Sequence, residues 1–233
     1  MQRRLLRTIQ RNIKNGPINE HRTLFKLYEF QPNVWADALV HPSSTIIGEV
    51  VVTGSSQVWP NSVIRGDMNA VLIDQGAIIM ENCSISSLPS ILNSGEIAKT
   101  YIGQRVIVGP NCTLVSCTIE EECYIGAGSV ICEGAKIDTG SFIGPGSVVP
   151  PNRYIPPGQL WAGSPARYVK SIDKSDKVAL MDIRLEYQEK TQSFVSEYSP
   201  LNSAYLESEA LHAENKIPSE YIANNLEEKY TPE

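Results

Sequence analysis

Aliphatic residues in this chain return every sixth position. Ile102, Val108 and Leu114 stand six apart, and after a slip of one residue Ile119, Ile125, Ile131, Ile137, Ile143, Val149 and Ile155 do the same. Four residues after most of these anchors sits a small side chain: Cys112, Cys123, Ser129, Ala135, Ser141 or Ser147. Gly103, Gly109, Gly126 and Gly144 each follow an anchor directly. A period of six fits neither a helix, at 3.6, nor an alternating strand, at 2. It is the period of a parallel β-helix built from hexapeptides, in which each coil has three short flat faces. One aliphatic residue points inward from each face and small residues fill the corners. The repeat type implies a left-handed coil, against the usual right-handed crossover.

The rhythm begins at Val40 and runs through Ile46, Val52, Val58 and Ile64, with Ser44, Val50, Ser56 and Ser62 at the corners. It jumps at Arg65-Gly66-Asp67-Met68-Asn69 and resumes at Ile73, Ile79 and Ile85. A second break, 86–100, contains Pro89, Asn93, Ser94 and Gly95 and reads as a loop leaving the coil. The anchors from Val40 to Ile155 make eighteen faces, about six coils. Pro150, Pro151, Pro156 and Pro157 are expected to close the coil, since proline donates nothing to a further strand.

The ends follow other rules. In residues 1–16, Leu5, Leu6, Ile9 and Ile13 fall on one side of a helical wheel, and Arg3, Arg4, Arg7, Arg11 and Lys14 on the other. No acidic residue precedes Glu20, and Asn15-Gly16-Pro17 ends the pattern. A mitochondrial targeting segment and a helix lying on a membrane or partner both fit; the expectation taken forward is the retained helix. Residues 17–39 read as a linker, 40–170 as the β-helix and 171–199 as a C-terminal helix. Asp173 is the expected N-cap, and Leu180, Ile183, Tyr187, Phe194 and Tyr198 form one apolar face. Such a face packs back on the coil or onto a neighbouring subunit. Residues 200–233 are an acidic tail, with a short helix around 204–214. The expected fold is therefore an all-β core with helices only at its ends.

A net charge of −6 gives no reason to expect a nucleic-acid partner. No run of apolar residues is long enough to span a membrane. The five cysteines, Cys83, Cys112, Cys117, Cys123 and Cys132, form no C-x-x-C pair and read as small, reduced core residues.

The run Val58-Trp59-Pro60-Asn61-Ser62-Val63-Ile64-Arg65-Gly66-Asp67-Met68-Asn69 closely resembles the gamma-class carbonic anhydrase family. Trp161-Ala162-Gly163-Ser164-Pro165-Ala166-Arg167 resembles that family's closing segment. His21-Arg22-Thr23-Leu24 and Ala213-Glu214-Asn215 resemble flanking pieces of its mitochondrial subunits. The resemblance implies a trimer of β-helices with a metal at each subunit interface. Three histidines hold that metal in the active enzymes, two from one subunit and one from its neighbour. A metal so held lowers the pKa of its bound water to about 7, giving the hydroxide that attacks carbon dioxide.

Aligned on this pattern, the ligand positions are Ser86, Pro110 and Val115, and the supporting glutamine falls on Met80. The only histidines are His21, His41 and His212, none of them in the middle of the coil. The resemblance also implies that Arg65 and Asp67 form a salt bridge across the trimer interface. The expected function is a non-catalytic structural subunit with no cofactor. The resemblance implies its partners: two other gamma carbonic anhydrase-type subunits and the membrane arm of mitochondrial complex I, with inner-membrane lipid as a further contact of the N-terminal helix. An active carbonic anhydrase with unusual ligands, a hexapeptide acyltransferase using His41 as base, and a scaffold in another assembly are the competing readings.

Overall fold

The computed structural model describes residues 23–90, 98–187 and 189–191. The expected N-terminal amphipathic helix, the acidic tail, Phe194 and Tyr198 lie outside the described residues. The chain divides into two units, Met1–Arg184 and Leu185–Glu233. In the second, residues 185–187 and 189–191 are helical, with Lys190 Nζ 2.7 Å from Glu186 Oε1 one turn away.

The first unit is a stack of parallel coils. Val40, Val58, Ile79, Val108, Ile125, Ile143 and Trp161 are Cα partners up one face. Ile46, Ile64, Ile85, Leu114, Ile131 and Val149 line the second. Val34, Val52, Ile73, Ile102, Ile119, Ile137 and Ile155 line the third. Apart from Val34 and Val40, which are partly buried at the first turn, these anchors are buried and make one continuous core. With Val34 and Trp161 added at the ends, the solenoid has about seven turns.

The corners explain why small residues recur. On one corner, Ser62 Oγ donates to Met80 O at 2.8 Å, Cys83 Sγ to Gly109 O at 3.2 Å, Cys112 Sγ to Gly126 O at 3.2 Å and Ser129 Oγ to Gly144 O at 3.1 Å. Each buried hydroxyl or thiol thus satisfies a carbonyl one coil further on, which an alanine could not do. From Val52 onward, the ordinary corners also turn through a left-handed residue three positions after the anchor. Asn61, Asn82, Asn111 and Asn152 take that place, as do Gly76, Gly128, Gly134, Gly140, Gly146 and Gly158. Asparagine and glycine tolerate this backbone best. Where coils approach most closely no Cβ fits: one on Gly126 would lie 2.4 Å from Pro145 N.

Three expectations are corrected. Residues 17–39 are not all linker: Leu24–Phe25 and Asn33–Val34 are strands paired with Ile46-Ile47 and Val51-Val52. A tight turn, in which Leu27 and Phe30 exchange backbone hydrogen bonds, separates the two strands and hides the period. The prolines do not end the coil. They sit at corners, and Phe142-Ile143 still pairs in parallel with Leu160-Trp161. The stack ends where Arg167–Ser171 folds back antiparallel on Gln159–Ala162. The C-terminal helix begins at 174 rather than 171. Asp173 caps it: its N–H donates to Asp176 Oδ2 at 3.0 Å and its carbonyl accepts from Lys177 N at 3.3 Å.

Within the first unit the start of this helix packs on the coil, burying Leu180. The face it meets is distinctive. Its outward residues include Ile78, Ile107, Tyr124 and Phe142, whereas the corresponding residues of the second face include Ser84, Thr113, Val130 and Val148.

Candidate functional site at the interrupted coils

Both breaks in the rhythm, and the one-residue slip, fall on neighbouring coils at the end of the second face. Strand Val63–Ile73 pairs with Ser84–Ser86, which pairs with Thr113–Val115. The register sets Arg65 beside Ser86 and Ser86 beside Val115. Their neighbours Ile64, Ile85 and Leu114 are fully buried anchors, so by strand alternation all three side chains point outward.

Pro110 is elsewhere. It occupies the corner before this face, where its carbonyl accepts from Gly128 N at 2.8 Å. Four residues separate it from Val115, and the turn at Asn111 sets it on a different side of the coil. Donors to one metal must each lie about 2 Å from it. The three positions therefore divide into a pair, Ser86 and Val115, adjacent in register, and a single, Pro110, on the corner before them. The donor set does not fit a zinc-type centre either: valine and proline side chains carry no lone pair, and a serine hydroxyl alone is a poor ligand. Among the described residues, no three His, Cys, Asp or Glu side chains are grouped to hold a metal ion.

Cys112 and Cys117, the nearest sulfurs in sequence, face the core at 1% exposure each. Burial pushes the Cys117 thiol up to about 12, and Cys123 likewise to about 12, whereas the hydrogen bond with Cys83 lowers Cys112, whose Sγ is turned into the core onto Gly126 O. A metal takes the thiolate, so Cys117 and Cys123 are not ready to bind one at neutral pH, and Cys112 faces away from the surface.

Arg65 and Asp67 meet within the chain, guanidinium against carboxylate. With the arginine 54% exposed, this is a surface pair worth about 0–1 kcal/mol here. His41, 21 residues before the family-like Ser62 corner and on the first coil, is held in a turn. Ser43 N donates to its Nδ1 at 3.1 Å, so that nitrogen is unprotonated, and burial lowers its pKa.

The sequence reading missed the clamp that holds this site. Ser116 sits in the slip between Leu114 and Ile119, at a φ of 43° and 1% exposure. Its Oγ accepts from Leu88 N at 2.7 Å and donates to Ala98 O at 2.7 Å, tying together both feet of the second interruption. Ser87 Oγ accepts from Asn69 N at 3.0 Å, and Asn69 Nδ2 donates to Leu88 O at 2.6 Å and Pro89 O at 3.0 Å. The first interruption thereby grips the second. A serine placed at the only five-residue step of the rhythm was the available signal.

A family model described as bacterial transferase hexapeptide (six repeats) matches residues 116–151. Over 180 residues the chain is 39% identical to gamma carbonic anhydrase 3, mitochondrial, of Arabidopsis thaliana, covering 77% of this chain and 69% of that one. Over 188 residues it is 38% identical to gamma carbonic anhydrase-like 2, mitochondrial, of the same plant, covering 81% and 73%. A solved putative acetyltransferase from Bacillus cereus superposes with a TM-score of 0.70 at 32% identity, covering 74% of this chain and 96% of that one. Overall identity does not separate the relative named as an enzyme from the one named as enzyme-like.

Proposed function

This chain belongs to the gamma carbonic anhydrase family, and from that premise we propose that it is a structural, non-catalytic subunit. In this reading it joins two other gamma carbonic anhydrase-type chains in a heterotrimer. That heterotrimer is attached to the membrane arm of mitochondrial complex I, peripherally on the matrix side of the inner membrane. The observation that carries the reading is the side-chain chemistry at Ser86, Pro110 and Val115. Carbon dioxide hydration of this class needs three imidazoles and an open metal position. Here the paired positions offer one hydroxyl and one isopropyl group, and the single position a pyrrolidine ring. Each of the two interfaces this chain shares would then lack ligands. A site at the third, formed by its partners, is untouched.

The split of these positions into a pair and a single supports a shared interface, with Arg65 and Asp67 at its edge. Among the described residues no helix is long and apolar enough to cross a membrane, which suits peripheral attachment. Relatives named as mitochondrial support the compartment.

The test is native electrophoresis of mitochondrial membranes with detection of this chain. Co-migration with the largest respiratory complexes is expected, and migration only as a free soluble trimer overturns the assignment. For the chemistry, the purified chain should retain no stoichiometric zinc or iron and should not accelerate carbon dioxide hydration. Tightly bound metal with hydration activity sinks the non-catalytic reading. The triple variant S86H/P110H/V115H should gain metal in the homotrimer if the alignment is right.

Similarity to a putative acetyltransferase favours one second reading. Acyl transfer needs a general base, and His41 is the sole histidine among the described residues. Its Nδ1 is engaged by the Ser43 amide. Saturable acyl-CoA binding that is lost in His41→Gln would revive it.

A further inference from the structure

A cavity of about 280 Å³ lies between the start of the C-terminal helix and one corner of the coil, away from Ser86, Pro110 and Val115. Phe142, Leu180 and Met181 supply its apolar lining, Arg105, Lys177 and Arg184 its cations, and Glu122, paired with Arg105, its one carboxylate. Its volume is near the lower end for small-molecule sites.

Two observations set this corner apart. Up its column, the left-handed position is Ser55, Gly76, Arg105, Glu122, Gly140 and Gly158. Arg105 and Glu122 hold φ of 55° and 56° on long side chains where neighbouring coils use glycine. Such conformations are unfavourable for residues with a Cβ, and they cluster at binding sites. Directly below, Gly140 leaves the space open: a Cβ placed on it would meet nothing within 4 Å.

The charge is also unbalanced. Arg105 is paired, 2.7 Å from Glu122 and 3.9 Å from Glu121. Arg184 is half-buried, and its guanidinium donates to the Arg105 carbonyl. Neither Arg184 nor Lys177 lies within salt-bridge distance of a carboxylate among the described residues. A guanidinium has five N–H donors, and the fold occupies one of those on Arg184. Burial first and the neighbouring Arg105 second lower the Arg184 pKa, only partly offset by Glu122, and an arriving anion would act in the opposite direction.

We infer that this cavity is a binding site for a small amphiphilic monocarboxylate, its apolar body against Phe142, Leu180 and Met181 and its carboxylate between Arg184 and Lys177. An apolar lining alone would accept a neutral chain equally well; the unneutralised cations select the acid. A bidentate guanidinium–carboxylate pair is the strongest contact available.

The test uses the full chain labelled with 13C-methyl methionine. The chain has 4 methionines, and the Met181 resonance is identified by its loss in Met181→Leu. Octanoate is expected to shift the Met181 methyl saturably and leave the buried Met80 methyl unmoved. 1-Octanol, with the same chain and no charge, should bind at least tenfold more weakly. Lys177→Gln and Arg184→Gln should each weaken octanoate at least threefold while leaving 1-octanol unchanged. Lys177 is exposed and has no ion pair among the described residues, so its variant reads the charge even if Arg184→Gln loosens the helix. Absence of a saturable shift, equal binding of acid and alcohol, or octanoate affinity unchanged in Lys177→Gln each overturns the proposal.

Discussion

The coils below Ile119 and those above Leu114 use one architecture in two ways. Below, every step from Ile119 to Ile155 is six residues, and four of the six left-handed corner positions from Gly128 to Asn152 and beyond are consecutive glycines, Gly128, Gly134, Gly140 and Gly146. After Glu122 the corners of this half carry only glycine or asparagine at the left-handed position, and the coils repeat one another closely. Above, the same positions carry Ser55, Asn61, Gly76, Asn82, Arg105 and Asn111, a single glycine among six, the steps lengthen twice, and one shortens. The irregular half carries Arg65, Asp67, Ser86, Val115 and the Ser116 clamp. A solenoid is stabilised by contacts between adjacent coils. The regular coils can therefore supply rigidity while the irregular ones present side chains that repetition would not allow.

The largest effects should come from the anchors. Ile131→Ala and Ile85→Ala both empty fully buried positions, with an expected loss of about 2–5 kcal/mol each. Urea denaturation should place Ile131→Ala toward the upper end, because rigid coils above and below cannot collapse into the void. Ile85→Ala, beside the interruptions, should fall toward the lower end; the reverse order would break the contrast.

Next is the clamp. Ser116→Ala leaves Leu88 N and Ala98 O without their partner and should cost about 1–3 kcal/mol. Hydrogen exchange should accelerate at Leu88 and not at Val130. Equal acceleration at both would mean that the halves unfold as one.

A smaller difference separates the corners. Gly128→Ala, at a φ of 67°, should destabilise by about 1 kcal/mol, while Asn111→Gly, at 58°, should change stability by only a few tenths. The smallest effect concerns His41. Burial lowers its pKa below 6.5, so as pH falls through 6.5 the unfolded chain takes up a proton before the folded chain does. Stability should therefore decline on the acid side of 6.5 down to the lowered value and be flat above. His41→Gln should remove that slope, and a slope that persists would assign it to other groups.

The stack itself was legible because its period belongs to the sequence: each anchor from Val40 to Ile155 that was read as inward is inward. What was not legible depended on direction rather than period. Leu24 and Val34 continue the stack, but ten residues and a tight turn separate them, so no six-residue step shows. The prolines were read as terminators because proline lacks an N–H, yet a corner residue at that place needs none. The clamp was illegible for another reason. Ser116 meets Leu88 across 28 residues of chain, and only the stacking of coils with unequal lengths brings them together. At the candidate site, sequence located Ser86, Pro110 and Val115; the pairing of two and the separation of the third needed the register.

The reversed strand Arg167–Ser171 has a consequence for assembly. A parallel stack is a template at both ends, and identical coils could in principle add head to tail into a fibre. At this end the ladder changes from parallel to antiparallel, and the outermost strand is fully exposed and carries Arg167 and Lys170. A first coil from another copy would meet the wrong hydrogen-bond spacing and a charged edge. Addition of a further coil at this end is thus disfavoured from within the chain.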